Sequence, residues 1–379
     1  MNTFYRFISL LLYFTLLISC AEKTEPTFSI QGTVSPANSS VVTLIKETDL
    51  ERKISNVVET IQLSKGGKFS KEFYLEPHLY TLKIDNKSLL TLAINKDQHI
   101  KINISGLDSS NPKTVINGSR DSELLLAYEN FRKKSLDSLV QSLRRQSRYI
   151  KKSEDPDLEK IKQLEQREII NYEKHLRELN EFIKNNMTNT IGLYATSLRW
   201  RGEENLHFYD SITSLFEKNY AELSITKKLR EKVTRLQQTS IGGIAPDIEM
   251  KTPEGNLVSL SSIQKKYTLI DFWASWCGPC RSESSILNEL YKKHNEQGFE
   301  IYGVSLDNKR DKWLNAIDKD QRTWTNVSSL QRFKTPAAFD YTVTALPDNY
   351  LIDKDKKIIA KNIHGKELKV LLDNLMSDH

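Results

Sequence analysis

Cys277 and Cys280 stand three apart in the stretch DFWASWCGPCR, with Gly278 and Pro279 between them. Two thiols at this spacing can cycle between dithiol and disulfide, supply half of a metal site, or staple the fold. A staple is a poor use of them, because so short a loop removes little freedom from the unfolded chain. A structural zinc would need two more soft ligands. Of the seven histidines, His294 is the nearest in sequence, and none stands at a ligand-like spacing from the pair. A redox pair remains, and no cofactor or metal is expected.

The elements around the pair suit that chemistry. Residues 268–274 read as a buried strand and residues 279–294 as a helix, so Cys277 falls at or just before a helix N-terminus. The unpaired N–H groups and positive end of a helix stabilise a thiolate there. A thiolate is the nucleophilic form of cysteine, so a lowered pKa raises its population near neutrality. Cys280 lies nearly one turn on, within reach of a mixed disulfide on Cys277. Pro279 fits the first turn, since it lacks an N–H and has a helix-ready φ.

Further signals continue to the C-terminus: strands at 299–305, 350–352 and 358–360, and helices around 312–317 and 367–376. Together they predict a compact α/β domain over residues 239–379, entered through Gly242-Gly243-Ile244-Ala245-Pro246-Asp247. Upstream, residues 27–116 read as a small β-rich domain, a sandwich or barrel. Its strand candidates are 28–30, 41–45, 79–84, 89–94 and 100–104. Ile61 and Leu63, then Lys65-Gly66-Gly67-Lys68 and Phe69, predict a hairpin. His78 and His99 read as strand or surface residues. Residues 117–238 change to helical periodicity, with Leu136, Leu139, Val140 and Leu143, then Ile161, Leu164, Leu176, Leu179, Phe182 and Ile183, on apolar stripes. Asp155-Pro156-Asp157 marks a break between helices.

The N-terminus differs from the rest. Arg6 precedes an apolar run at 7–18 that is too short to span a bilayer, which predicts a signal peptide over residues 1–19. Leu17-Ile18-Ser19-Cys20 resembles the bacterial lipobox. That resemblance implies lipidation of Cys20, a polar tether over 20–26, and a chain anchored to a membrane rather than spanning it. The lipobox would consume one of three cysteines, leaving only the spaced pair. The formal charge of +6 over 379 residues is modest. With no helix-turn-helix, zinc-finger spacing or basic tract with interleaved aromatics, nucleic-acid binding is not expected.

The segment DFWASWCGPC resembles the active-site segment of thioredoxins. The longer run from Gly243 through CGPCRSE resembles the TlpA/ResA-like branch, often carried under AhpC/TSA names, over about residues 240–379. Residues 344–353, TALPDNYLID, are similar to the family segment that carries a cis-proline before a strand. The resemblance implies a thioredoxin-like fold and a membrane-anchored thiol–disulfide oxidoreductase acting on protein thiols and disulfides. It implies that Pro347 is cis and faces Cys277, that Leu346 offers its backbone to substrate, and that Asp271 and Glu283 serve the proton transfer from Cys280. For Glu283 a helix-dipole role weighs equally. Trp276 is expected at the rim and Trp273 in the packing. Ser285 stands where the branch usually has a proline.

A Gly-Pro dipeptide between the cysteines resembles reducing thioredoxins. The expected direction is therefore reduction of envelope disulfides, apocytochrome cysteines among the candidate substrates, with electrons from a transmembrane thiol donor. The lipobox, β-rich segment and charged helices together resemble Bacteroidetes lipoproteins in which a domain of unknown function precedes the thioredoxin module. Two other readings stay open: an oxidase or isomerase, and a partner-binding lipoprotein using the thioredoxin module as a redox sensor.

Overall fold

The computed structural model describes residues 27–36, 41–85, 87–109, 112–201 and 203–377. The expected signal peptide, Cys20 and the tether lie outside the described residues.

Eight strands come first: β1 (Phe28–Ser35), β2 (Val41–Asp49), β3 (Ile54–Gln62), β4 (Lys68–Phe73), β5 (His78–Ile84), β6 (Lys87–Ile94), β7 (Gln98–Ser105) and β8 (Lys113–Asn117). They form two four-stranded sheets, ordered β4-β1-β7-β8 and β3-β2-β5-β6. Phe28, Ile30, Ile100 and Ile102 of the first meet Val42, Leu44, Leu82 and Leu92 of the second in a closed apolar layer. This is a sandwich, one of the two expected forms.

The hairpin expected at Ile61–Phe69 does not form. The turn at Ser64–Lys68 is present, but β3 pairs with β2 and β4 pairs with β1. The turn thus carries the chain from one sheet to the other. Alternating apolar residues fix which face of a strand is buried, not which strand lies beside it.

The helical region follows as α1 (Arg120–Leu136), α2 (Ser142–Ile150), α3 (Leu158–Asn186), α4 (Leu193–Thr196), α5 (Leu206–Tyr220) and α6 (Ser224–Gln238). The start of α1 is set by Ser119, whose Oγ accepts from the Ser122 N–H at 3.2 Å. Gly118 precedes it at φ +84, where a Cβ would stand 2.2 Å from the His99 carbonyl oxygen. The start of α3 is set by Asp157, whose carboxylate accepts from the Lys160 N–H at 2.8 Å, so the Asp-Pro-Asp break becomes a cap. The helices pack on the outer face of β5 and β6: Leu79 and Ala93 join Tyr128, Trp200, Tyr209 and Phe216 in one core. Strand periodicity makes this sharing simple, because Tyr80 and Leu82 point the other way, into the sandwich.

The C-terminal part comprises β9 (Glu249–Lys251), β10 (Leu257–Ser259), β11 (Tyr267–Trp273), α7 (Gly278–His294), β12 (Phe299–Ser305), α8 (Arg310–Lys319), β13 (Thr325–Ser328), α9 (Pro336–Asp340), β14 (Asp348–Asp353), β15 (Ile358–Lys361) and α10 (Gly365–Ser377). Its sheet has the order β10-β9-β13-β12-β11-β14-β15. β11 lies at the centre, parallel to β12 and antiparallel to β14. Its run TLIDFW is buried on both faces: Ile270 and Phe272 enter one core with Tyr302 and Val304, while Leu269 enters another with Leu287 of α7 and Leu368 of α10. The short strands β9, β10 and β13 had no sequence signal long enough to register as a period.

The two halves meet through buried and aromatic contacts. Arg201, beyond α4, lies 3.6 Å from the Asp348 carboxylate and donates to the Asn362 side chain at 3.1 Å. Lys361 pairs with Glu203 at 3.1 Å. Arg235 of α6 and Arg52 of the β2–β3 turn lie over the Phe339 ring, 3.9 and 4.2 Å from its centroid. These contacts join the helical region and the β2–β3 turn to the C-terminal part.

Candidate redox site

β11 delivers the chain to the loop Ala274–Trp276, and Asp307 fixes that loop. Its carboxylate accepts from the Ser275 N–H at 2.9 Å and from the Ser275 hydroxyl at 2.6 Å. The chain then turns into α7 with Cys277 as its N-cap. The Cys277 Sγ accepts from the Cys280 N–H at 3.2 Å, and Pro279 occupies the first turn. Cys277 and Cys280 are joined in a disulfide. A sulfur so placed is pre-arranged to be stabilised as a thiolate once reduced. Leu346 packs on the cluster containing both cysteines and Trp273, and the Leu346–Pro347 peptide is cis. Trp276 is 45 % exposed, at the rim, beside Phe333 and Arg332.

Asp271 is buried in β11, and the partner it needs is Arg322, in the loop after α8. The guanidinium donates to the Asp271 carboxylate at 2.9 Å, to the Cys280 carbonyl at 3.1 Å and to the Ser284 hydroxyl at 3.1 Å. Its flat face covers the Trp273 ring at 3.8 Å. Burial is the strongest influence on Asp271 and pushes its carboxyl above the ordinary aspartate range, with Arg322 opposing that rise without cancelling it.

Glu283 lies one turn beyond Cys280 and is engaged elsewhere. Its carboxylate meets the His364 Nδ1 at 3.0 Å and accepts from the Gly365 N–H at 3.0 Å. Burial is the strongest single influence on His364 and favours the neutral ring. The hydrogen bond and charge of Glu283, helped by Asp348 and Asp271, outweigh it, so His364 titrates above the ordinary histidine value of 6.5. Glu283 therefore ties the start of α7 to the start of α10 and influences Asp271 only across a distance. Among the described residues no group of three His, Cys, Asp or Glu side chains is placed to hold a metal ion.

Residues 241–361 match the AhpC/TSA family. The thiol-disulfide oxidoreductase ResA of a Bacillus cereus strain is 32 % identical over 148 residues, which span 37 % of this chain and 79 % of the relative. The chain belongs to the TlpA/ResA-like family. ResA of Geobacillus thermodenitrificans is 30 % identical over 145 residues, spanning 38 % of this chain and 82 % of that one. Among solved structures, the thioredoxin domain of a thiol-disulfide oxidoreductase from Bacteroides vulgatus is 33 % identical, covering 36 % of this chain and 98 % of its own, with a TM-score of 0.35. The C-terminal part is a thioredoxin-like domain of a thiol–disulfide oxidoreductase, preceded by a β-rich region and a helical segment.

Outside the family match, α3 brings an unforeseen residue to the TlpA/ResA-like site. Glu165 is buried against the first turn of α7, where it accepts from the Ser282 hydroxyl and pairs with Lys151 at 2.5 Å. Its carboxylate rests directly on Gly278: a Cβ there would stand 2.5 Å from Oε1. Gly278 thus lets a second domain approach the cysteine loop. Both cysteines are covered, Cys277 at 5 % and Cys280 at 2 % exposure. Cys277 lines a cleft of about 810 Å³ walled on one side by α2 and α3. Leu346 and Pro347 line a neighbouring cleft with Trp276, Tyr172 and Arg201.

Glu165→Ala leaves the Ser282 hydroxyl and Lys151 without this partner inside the interface. We expect a loss of about 1–3 kcal/mol of stability, read as a lower urea midpoint, with a smaller loss for Glu165→Gln, which keeps an acceptor for Ser282. A midpoint equal to wild type for Glu165→Ala would show that the contact holds nothing together.

Proposed function

We propose that the chain is a lipid-anchored, envelope-facing thiol–disulfide reductase that works through Cys277 and Cys280. The observation that carries this reading is Cys277 as the N-cap of α7, in a disulfide with Cys280, beside a cis-Pro347 loop. In the reduced enzyme the Cys277 thiolate attacks a substrate disulfide. A mixed disulfide forms and one substrate sulfur leaves as a thiolate. Cys280 then loses its proton and attacks the Cys277 sulfur. The Cys277–Cys280 disulfide forms and the second substrate sulfur leaves. Two electrons pass from enzyme to substrate, and a membrane dithiol donor must restore them.

Asp271 is the proposed acceptor of the Cys280 proton. Burial raises its pKa above the ordinary aspartate range, which makes it a stronger proton acceptor, and Arg322 binds both its carboxylate and the Cys280 carbonyl. Glu283, bound to His364 and Gly365, is a positioning residue for α7. The direction rests on the Gly-Pro dipeptide. Thioredoxin stands at about −270 mV and the strong oxidant DsbA at about −120 mV.

Insulin reduction driven by dithiothreitol tests the core of this reading. Wild type should turn over and Cys277→Ser should not; equal rates would refute it. In wild type the rate should rise with pH as Asp271 ionises, because the protonated carboxyl accepts nothing. In Asp271→Asn that rise should move toward the ordinary thiol range near about 8.5, with turnover at neutral pH lower by on the order of 10²-fold.

Anchoring is proposed from the lipobox-like residues ending at Cys20. No helix among the described residues is long and apolar enough to cross a membrane. Expressed in a bacterial host that lipidates exported proteins, the chain should partition into detergent, and Cys20→Ser should return it to the aqueous phase. Detergent partitioning that survives Cys20→Ser would rule out this anchor.

A further inference from the structure

The cleft over Cys277 is built by both halves of the chain. One wall is the cysteine loop and the first turns of α7, and the other is α2 and α3. The wall from the helical region carries most of the charge. Arg144, Arg148, Lys151, Lys162 and Arg281 line the cleft against two carboxylates, Glu165 and Glu168. Both carboxylates are buried and already paired, Glu165 with Lys151 and Glu168 with Arg144. Arg281 is held by Asp320. Arg148 and Lys162 are exposed, and neither forms an ion pair among the described residues. The solvent within the cleft therefore faces a positive field, strengthened by low-dielectric walls on both sides.

We propose that this cleft is the binding site for the substrate polypeptide, and that it selects an extended, acidic segment around the substrate cystine. The proposal rests on the exchange reading of Cys277 and Cys280. Two observations carry it. Cys277 is 5 % exposed and lines a cleft with the cysteine loop and α7 on one side and α2 and α3 on the other, which disfavours approach by a broad convex surface. A single extended strand can enter the cleft and pass Leu346, which lines it. The exposed cations of α2 and α3 then meet the residues flanking the cystine, attracting carboxylates and repelling lysines and arginines. The helical region thereby gains a role in specificity, as the wall that chooses which disulfide reaches Cys277.

The test uses the full chain, reduced and then freed of reductant, in single-turnover mixing with three probes. Two are fluorophore-quenched extended peptides bearing one disulfide, flanked by Asp and Glu in one and by Lys and Arg in the other. The third is hydroxyethyl disulfide, which is small and neutral. The acidic peptide should react about tenfold or more faster than the basic one at low ionic strength, and the gap should shrink as salt is added. The double substitution Arg148→Glu and Lys162→Glu, with its fold checked by the urea midpoint, should erase or invert the preference. Equal rates for the two peptides with wild type, while hydroxyethyl disulfide is still reduced, would overturn the proposal and leave the exchange reading standing. So would a preference that survives the double reversal in a folded variant. Failure to reduce even hydroxyethyl disulfide would sink the exchange reading and this proposal with it.

Discussion

The site depends on one buried guanidinium. Arg322 has no exposed side-chain surface, and its three nitrogens reach two elements of the fold: the central strand at Asp271, and α7 at the Cys280 carbonyl and at the Ser284 hydroxyl one turn later. Burying such a group costs several kcal/mol unless every donor finds a partner. The partners here are the elements that must stay in register for exchange. The strand delivers the loop, and the helix supplies the positive end under Cys277. Stacking on Trp273 fixes the plane of the guanidinium, so the three hydrogen bonds act as one joint between β11 and α7.

A second constraint comes from outside the thioredoxin-like domain. Glu165 occupies space that a side chain at position 278 would need, and it also engages Ser282 on the same helix. Gly278 therefore has a steric reason to be glycine. With Arg201 against Asp348 and Lys361 against Glu203, this contact sets α3 as a wall beside the disulfide. The upstream regions are joined to each other through the face shared by β5, β6 and the helices. The second sheet of the sandwich and α3 thus share one packed core.

Much of this was legible in the sequence, for reasons that can be named. The likeness of DFWASWCGPC to the thioredoxin active-site segment singled out Asp271, and the Cys-Gly-Pro-Cys spacing at a strand–helix junction located the pair. What stayed hidden had no local signature. Arg322 follows α8 in an irregular loop, where nothing distinguishes a buried arginine from a solvated one. Glu165 sits among Glu159, Glu168 and Glu173 on a long amphipathic helix, where the default reading of a glutamate is a solvated face. His364 lies far from the cysteines in sequence and meets Glu283 only because α10 starts beside α7. The misassigned hairpin has the same origin: the turn at Gly66-Gly67 was visible, but the sheet that receives the next strand is decided by long-range pairing.

The reduction potential of the Cys277–Cys280 pair, measured on the full chain by equilibration with glutathione or dithiothreitol buffers, tests the central claim most directly. A reductase should show a value near or below that of thioredoxin, about −270 mV. That value would let the dithiol reduce disulfides whose potentials lie above its own and would require a membrane electron donor. A value approaching about −120 mV would contradict that reading and make the chain an oxidant.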